Sequence, residues 1–391
     1  MTRIDLVWFN AGGGHRAAAQ ALEQVMHAQG RPWQVRKVNL TEVLDPADRF
    51  RSLTGLAPED LYNRRLASGF TLGLAQELRL LQGLIRFAQP SLVQRLARHW
   101  RSTQPDLVVS LIPNFNRALH DSLALACPGV PFVTVLTDMA DHPPHFWIEP
   151  RTRQHLVCGT RHAMAQALAA GCEPARLHRA SGMILRPEFY LPGPADLGAQ
   201  RVAAGLDAGT PTGLVLFGGT GSRVMKRIAA RLPDTPLILM CGRNEALAAE
   251  LRALPPGNAH APRVVVSHTP DVARWMRLAD FFIDKPGPGS VSEAVQMGLP
   301  VIVTCNSWTM PQERWNAQWI RQHGLGVVLR SFGRVDQAVA ELTARLPAYR
   351  ARVQAMDNRA VFELPAILEN ILAQAARRAS ADRLTATTSF N

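Results

Sequence analysis

The residues most suited to chemistry lie between positions 284 and 293, where the sequence reads Asp-Lys-Pro-Gly-Pro-Gly-Ser-Val-Ser-Glu. An apolar run over 281–283 precedes them and predicts a short buried strand. The prolines and glycines predict a tight turn, and Ser290 or Ser292 can cap the helix that follows. A strand, a small-residue turn and a helix N-terminus together form a site for a phosphate or a ribose. We expect Glu293, in the first helical turn, to accept hydrogen bonds from a sugar diol; the alternative is a well-capped turn without a ligand.

A second candidate site is the stretch 217–222, Phe-Gly-Gly-Thr-Gly-Ser, which also follows an apolar run. Its backbone N–H groups and the dipole of the next helix suit a diphosphate. The candidate residues are Gly218, Gly219, Thr220, Gly221 and Ser222. The alternative is a plain turn.

A third cluster, residues 10–16, reads Asn-Ala-Gly-Gly-Gly-His-Arg. It lacks the Lys-Ser/Thr end of a phosphate-binding P-loop and does not fit the dinucleotide fingerprint. It places His15 at a helix start just past the first strand, where an imidazole can take a proton from a hydroxyl nucleophile. The helix dipole helps to keep this histidine neutral. The alternative is a histidine that caps a tight turn.

Polar side chains elsewhere can hold the rest of a sugar phosphate. Gln312 and Glu313 stand side by side in a segment that extends to Asn316, and an amide next to a carboxylate can satisfy the hydroxyls of one pyranose. Arg186, near a predicted hinge, can neutralise a phosphate. The alternatives are a polar helix start and a surface arginine.

Asp138, His142 and His145 raise the question of a metal site. Their spacing matches no zinc template, and no Asp-x-Asp pair for a nucleotide-bound divalent ion occurs in the chain. We therefore predict no metal and no cofactor.

Composition narrows the function classes. Apolar residues make up 47% of 391 residues, which is enough for a large core in two domains. The formal net charge of +12 indicates attraction to polyanions, but no nucleic-acid-binding motif is present, so nucleic acid is not a predicted partner. The five scattered cysteines predict buried free thiols in a reducing compartment. No signal peptide and no run of roughly 18 apolar residues is found, which predicts a cytoplasmic protein, soluble or attached to a membrane face.

A basic, leucine-rich stretch favours an anionic membrane surface as a partner. Residues 49–101 carry nine arginines against three acidic residues. Apolar residues near helical spacing predict an amphipathic helix that suits a membrane interface: Leu74, Leu78, Leu81 and Ile85. The alternative is a normal amphipathic core helix.

Strand-like apolar runs alternate with helical segments, which predicts an α/β protein with parallel sheets covered on both faces. The predicted strands are 4–9, 35–40, 107–111, 132–136, 155–158, 214–217, 237–240, 264–266, 281–283 and 301–304. We predict an N-terminal domain over 1–190, a linker over 191–212, a C-terminal domain over 213–376 and a flexible tail over 377–391. Ligands of such domains bind at the carboxyl ends of the strands.

Taken together, the motifs resemble one family. They are the Gly-Gly-Gly-His-Arg-Ala cluster, residues 133–138 with His142-Pro143, Arg186-Pro187, the 217–222 loop, residues 241–244, the turn that ends at Glu293, and Gln312-Glu313 with Asn316. Their order and spacing resemble the monogalactosyldiacylglycerol synthases and the processive diacylglycerol glucosyltransferases. The C-terminal half is also similar to the UDP-N-acetylglucosaminyltransferase that makes lipid II.

The resemblance implies a GT-B architecture, two Rossmann-like domains facing across a cleft, with no required metal. It implies a UDP-sugar donor on the C-terminal domain, with the ribose on Glu293, the diphosphate on the 218–222 loop and Arg186, and the uracil near Ser267 and His268. The sugar hydroxyls would bind Gln312 and Glu313, and His15 would be the general base. The remaining implied residues are Gly287, Gly289, Ser290 and Asn316 for the donor, and Gly13, Gly14, Asp138 and His142 for the lipid acceptor.

We therefore predict an inverting glycosyltransferase, peripheral at the cytoplasmic face of the inner membrane. It would move a hexosyl group from UDP-galactose, UDP-glucose or UDP-N-acetylglucosamine to a lipid such as diacylglycerol. The alternatives are a UDP-N-acetylglucosamine 2-epimerase-like isomerase and a non-catalytic protein that binds UDP-sugar or lipid.

Overall fold

The computed structural model describes residues 1–9, 14–45, 74–193, 195–255 and 261–388. These residues form two compact units. The first unit contains the described residues up to 186 and a C-terminal segment from Arg359, and the second contains Pro187–Asn358.

The first unit is built on a parallel six-stranded sheet. Its strands are β1 (Thr2–Trp8), β2 (Trp33–Asn39), β3 (Leu107–Ser110), β4 (Phe132–Val135), β5 (His155–Cys158) and β6 (Leu177–Arg179), in the spatial order β2-β1-β3-β4-β5-β6. The chain leaves β1 toward one edge and later places β3 on the other side of β1. The carboxyl ends of β1 and β3 therefore form the topological switch point, where open α/β sheets bind ligands.

Helices cover this sheet because its strands β3, β4 and β5 are buried on both faces. They are α1 (Gly14–Ala28), α2 (Leu40–Leu44), α3 (Leu74–Phe87), α4 (Gln89–Thr103), α5 (Asn116–Ala126) and α6 (Arg161–Ala169). Leu22 of α1 is fully buried in the core against one face, and Leu96 and Trp100 of α4 are fully buried in the core against the other.

The second unit repeats this plan with another parallel six-stranded sheet. Its strands are β7 (Gly213–Leu216), β8 (Leu237–Met240), β9 (Arg263–Val266), β10 (Phe281–Asp284), β11 (Val301–Thr304) and β12 (Gly326–Leu329), in the order β12-β11-β10-β7-β8-β9. Here the switch point lies between β7 and β10. The loops that follow these two strands are the glycine loop 217–222 and the turn after Asp284, so the fold brings two predicted ligand sites together.

The helices of the second unit are α7 (Leu197–Ala203), α8 (Val224–Arg231), α9 (Glu245–Arg252), α10 (Val272–Arg277), α11 (Pro288–Gln296), α12 (Pro311–His323), α13 (Val335–Ala344) and α14 (Leu346–Gln354). Short 3-10 turns lie at Pro174–Arg176, Pro187–Tyr190 and Phe332–Arg334. Phe281 and Ile283 of β10 and Leu342 of α13 are fully buried in one core cluster.

The last helix, α15 (Ala360–Thr388), belongs to the first unit rather than to the predicted C-terminal domain over 213–376. Its apolar face fills the core of the first sheet through Ala360, Leu364, Leu368 and Ile371. The predicted tail over 377–391 is also different from the structure, because the helix continues through Thr388; residues 389–391 lie outside the described range.

Every strand expected from the sequence is present, within two residues at each end. The two strands that were not expected, β6 and β12, are the edge strands on which each sheet ends. β6 carries two basic residues in Leu-His-Arg, and β12 is only half-buried, so neither shows the buried apolar run of a central strand.

The predicted linker over 191–212 is part of the second unit. Helix α7 lies within it, and Arg201 on this helix is 5% exposed. Its guanidinium donates to Leu278 O (2.9 Å) and to Asp280 Oδ2 (2.6 Å). Asp280 also accepts from the Thr212 N–H (2.8 Å) and pairs with Arg350. A buried charge network therefore fixes this segment.

Replacing Arg201 by alanine should lower the free energy of unfolding by roughly 3–5 kcal/mol, because the buried Asp280 carboxylate loses its best-placed cation. Chemical denaturation followed by circular dichroism measures the loss. Lys226→Ala is the matched control, since it removes a solvent-exposed ion pair with Glu250 and should hardly change the transition. Equal effects of the two variants would contradict a structural role for Arg201.

Candidate functional site

His15 lies at the switch point of the first sheet, as its position after β1 predicted. It is the second residue of α1, which begins at Gly14. Its Nδ1 lies 2.8 Å from the carbonyl oxygen of Leu111, just past β3, and 3.1 Å from the Oγ1 of Thr137, just past β4. Three neighbouring strands therefore fix the imidazole.

The Leu111 bond determines the tautomer of His15. A carbonyl oxygen only accepts, so Nδ1 carries the proton and Nε2 is left as an unprotonated base. The ring packs against Phe9 at 4.9 Å and Trp147 at 6.1 Å between centroids. This burial lowers the pKa of His15 to about 4, although the hydrogen bond to Leu111 acts in the opposite direction. The histidine is therefore neutral at physiological pH because of desolvation.

Asp138, predicted on the acceptor side, holds the wall of the His15 pocket. Its Oδ2 accepts from the indole N–H of Trp147 (2.9 Å), and Asp141 Oδ1 accepts from the Trp147 backbone N–H (2.7 Å). His142 is half-buried with its ring 5.9 Å from that of His162. Gly14 is exposed, and Gly13 lies outside the described residues.

In the second unit, the glycine loop after β7 is tied to the turn after β8. Gly218 and Gly221 have positive φ angles of 64° and 60°. The Arg243 N–H donates to Gly219 O (2.9 Å), and the Asn244 amide donates to Thr220 O (3.2 Å). Residues 218–220 are exposed, which leaves their backbone groups open to a ligand.

The turn after β10 is held from below by Asp284, which is completely buried. The Lys285 N–H donates to Asp284 Oδ1 (2.7 Å), and Ser290 Oγ lies 2.6 Å from Asp284 Oδ2. Burial raises the pKa of Asp284 to about 8, against the lowering effects of Ser290 and Lys285. Gly287 is buried beneath the turn and Gly289 is exposed at its tip.

Two details of the predicted turn are wrong. Helix α11 begins at Pro288 with Gly287 as its N-cap, so neither Ser290 nor Ser292 caps it. Ser290 is directed to Asp284 instead. Glu293 consequently lies in the second helical turn, where it is half-buried, and not in the first.

Helix α12 contributes three buried polar side chains beside this turn, which form what we call the α12 floor. Gln312, Glu313 and Asn316 are 6%, 4% and 0% exposed. Asn316 donates to Pro286 O (2.8 Å), and Glu313 pairs with the Lys285 ammonium. Among the described atoms, Gln312 Oε1 and Asn316 Oδ1 are buried acceptors without a hydrogen-bond partner. Buried acceptors of this kind suit the hydroxyls of a ligand.

No family model matches the chain. The chain is 26% identical over 347 residues to a protein of Oryza sativa subsp. indica described as probable monogalactosyldiacylglycerol synthase 2, covering 83% of this chain and 70% of that protein. It is 25% identical over 360 residues to the monogalactosyldiacylglycerol synthase of Spinacia oleracea, covering 87% and 66%. The chain thus spans about two thirds of the length of these relatives.

Solved structures show the same fold. Acinetobacter baumannii MurG superposes with a TM-score of 0.61 at 13% identity, covering 95% of this chain and 100% of that one. A UDP-GlcNAc 2-epimerase from Neisseria meningitidis gives 0.55 at 11% identity, covering 95% and 100%. The chain therefore has the GT-B fold, and its sequence is similar to those of monogalactosyldiacylglycerol synthases.

Three predicted donor residues of this GT-B protein lie outside the two switch points. Ser267 follows the edge strand β9, where its hydroxyl donates to Glu245 (2.9 Å) and accepts from Arg252 (3.1 Å). His268 beside it is exposed. Arg186 is the last residue of the first unit before the chain enters the second. Their donor roles stay predictions.

Sequence patterns assigned no role to four residues that shape the GT-B sites, although two of them, Asp284 and Lys285, begin the 284–293 motif. Phe9 and Trp147 wall the imidazole of His15, and Asp284 and Lys285 anchor the turn after β10. Asp284 carried a detectable signal, since a carboxylate that ends a buried apolar strand must find partners. Trp147 carried none, because its position depends on the packing of a long loop.

Within the described residues, no group of three or more His, Cys, Asp or Glu side chains is placed to hold a metal ion. Asp138, His142 and His145, considered above for such a site, make separate contacts. All five cysteines are free; Cys172 and Cys305 are half-buried rather than buried as expected.

Proposed function

We propose that the chain transfers a hexosyl group from a UDP-sugar to the hydroxyl of a lipid such as diacylglycerol, with inversion at the anomeric carbon. The observation that carries this proposal is His15, a neutral imidazole with an unprotonated Nε2 at the switch point of the first sheet. The names of the relatives, which are galactolipid synthases, support the lipid acceptor.

In the proposed reaction, the acceptor oxygen attacks the anomeric carbon while the bond from that carbon to the UDP oxygen breaks. The acceptor proton passes to His15 Nε2. A base of this kind contributes about 10²–10⁴-fold in rate. The UDP that departs gathers negative charge, which the N–H groups of the 218–222 loop and Arg186 would stabilise.

The second unit would hold the donor. Glu293 would accept hydrogen bonds from the ribose, and the uracil would lie near Ser267 and His268. Gln312, Glu313 and Asn316 would bind the sugar hydroxyls, which is supported by the two unpartnered amide oxygens of the α12 floor. Galactose, glucose and N-acetylglucosamine all present hydroxyls that suit these groups.

The test is incubation of the purified protein with labelled UDP-galactose, UDP-glucose or UDP-N-acetylglucosamine and with vesicles that contain diacylglycerol. Mass analysis should show a glycosylated lipid and free UDP for one of the donors. No lipid product from any donor, with UDP binding intact, would overturn the proposal.

Epimerisation is a second candidate because two of the similar folds are a UDP-GlcNAc 2-epimerase and a MnaA–UDP structure. An epimerase needs no acceptor. Incubation with UDP-N-acetylglucosamine alone should therefore leave the donor unchanged if the chain is a transferase. Appearance of an epimer without lipid would favour the second candidate.

The pH dependence of transfer should reflect the desolvation of the half-buried His15 imidazole. The unprotonated imidazole is the active form, and burial holds its pKa at about 4, so activity persists on acidification until the pH falls toward that value. The acid limb of kcat/KM should therefore lie well below 6.5. Trp147→Ala, which removes one wall of the pocket, should move the limb upward. A wild-type limb between pH 6 and 7 would contradict this role.

We further propose that the first unit contacts an anionic membrane through α3. Leu78 and Ile85, expected at the membrane, are buried at 5% and 9%, whereas Leu80, Leu84 and Phe87 are exposed at 65%, 57% and 89%. These three side chains, spaced by four and three residues, form an exposed apolar row flanked by the exposed Arg79 and Arg86. Leu81 is 43% exposed, so its place at the membrane stays a prediction, and the side chain of Leu74 is outside the described range.

The double variant Leu84→Glu/Phe87→Glu should bind anionic vesicles roughly tenfold or more weakly, because apolar burial is lost and like charge is added at the surface. Vesicle co-sedimentation measures the partition. Leu125→Glu, at another exposed leucine of the same unit, is the control and should bind normally. Equal binding by both variants would exclude this face. Of the described helices, none is both long and apolar enough to cross a bilayer.

A further inference from the structure

The Asp284 carboxyl and the Ser290 hydroxyl form a hydrogen-bonded pair beneath the proposed donor turn. Asp284 ends β10 and is inaccessible to solvent, while Ser290 in the first turn of α11 is half-exposed. Their oxygens are 2.6 Å apart, and the other Asp284 oxygen accepts from the Lys285 N–H at 2.7 Å. The serine hydroxyl is therefore hydrogen-bonded to Asp284, while Ser290 is also accessible to solvent.

A serine hydroxyl has one hydrogen, so this pair has two arrangements. With an ionised carboxylate, Ser290 must donate to Asp284 and offers only lone pairs to a ligand. With a neutral carboxylic acid, the acid proton is donated to Ser290 Oγ, and the serine hydrogen is free to turn outward. The two arrangements differ by a single proton on Asp284.

We propose that the protonation of Asp284 determines whether Ser290 donates a hydrogen bond to the diphosphate of the nucleotide. The neutral acid allows donation and favours the anionic ligand, whereas the carboxylate prevents it. Asp284 is thus a positioning residue for the donor, and this role rests on the proposed function of the second unit.

The surroundings of Asp284 place this change near physiological pH. The charged groups that face it are Lys285 on its own turn and Glu313 on α12, which pair with each other. Since they largely offset one another, burial dominates and holds the pKa at about 8. The acid form therefore predominates at neutral pH, and affinity for UDP should fall as the pH rises through about 8.

The experiment is titration calorimetry with UDP at pH 7.0 and pH 9.0 for the wild type, Asp284→Asn and Ser290→Ala. Phosphates have a last pKa near 6, so UDP itself keeps its charge over this range. The wild type should bind about tenfold more weakly at pH 9.0, the scale of one hydrogen bond to a charged group. Asp284→Asn should bind at pH 9.0 about tenfold more tightly than the wild type, because the asparagine amide always donates to Ser290.

Ser290→Ala should bind weakly and equally at both pH values. Wild-type affinity that is the same at both pH values, or a pH dependence that persists in Asp284→Asn, would overturn the inference while leaving the donor site intact. Absence of UDP binding by the folded wild type at pH 7.0 would overturn the donor site and the inference together. Circular dichroism at each pH confirms that the variants remain folded.

Discussion

Replacing His15 by alanine is expected to lower kcat for sugar transfer by roughly 10²–10⁴-fold while UDP affinity stays unchanged. The two quantities separate because the proposed base and most of the proposed donor residues lie in different units. His15 belongs to the first unit, where Leu111 orients it, and the proposed donor residues other than Arg186 belong to the second. Removal of the imidazole takes away the proton acceptor without changing any group that would grip the nucleotide. Steady-state kinetics and UDP titration separate the two quantities.

The matched control for this variant is His27→Ala, because His27 is an exposed residue in the last turn of the same helix. It should retain full turnover. Added imidazole should restore part of the transfer activity of His15→Ala. The variant should remain folded, so that unfolding does not explain its lower activity. Turnover of His15→Ala close to that of the wild type would remove His15 from the chemistry.

The second large effect is expected at Gly242, where alanine should weaken UDP-sugar binding at least tenfold and lower the melting temperature. Gly242 has a φ of 58°, and a Cβ there would lie 2.2 Å from the carbonyl oxygen of Gly219. That oxygen accepts a hydrogen bond from the Arg243 N–H, so the alanine would displace the glycine loop and break this hydrogen bond. Donor titration and thermal unfolding would detect the two consequences.

Gly298→Ala separates the clash from the cost of the backbone angle. Gly298 has a φ of 77° and no neighbour within 4 Å of the added Cβ. Both variants incur the left-handed penalty of about 1–2 kcal/mol, but only Gly242→Ala displaces the loop. UDP affinity should therefore be normal in Gly298→Ala. A loss of UDP affinity in both variants would indicate general destabilisation rather than a role for the hydrogen bond between Arg243 N–H and Gly219 O.

Apolar runs sufficed to predict the central strands of both sheets. A parallel strand is buried on both faces, so its sequence reads as a continuous apolar segment, as in Phe281-Phe282-Ile283. Glycine clusters directly after such strands then predicted the switch-point loops. The place of His15 followed from the same logic, because strand ends of one parallel sheet converge at one edge.

Contacts between distant parts of the chain could not be predicted in this way. Arg201 lies in a Pro- and Gly-rich stretch that is typical of linkers, and only the fold reveals that Asp280, 79 residues away, holds it. Ser290 looked like a helix cap because serine caps are common, yet the strand end placed a buried carboxyl within its reach. The local sequence pattern does not show that a distant group can bond a side chain that would otherwise cap a helix.

The return of α15 to the first unit determines how the chain can be divided into fragments. A fragment that stops at residue 190 would lack Leu364 and Leu368 and would expose the apolar surface of the first unit that these residues cover. Residues 187–358, by contrast, are continuous in sequence and keep their own interior. For recombinant work, the second unit is the separable piece, and the first unit has to be made with its C-terminal helix fused on or supplied as a peptide.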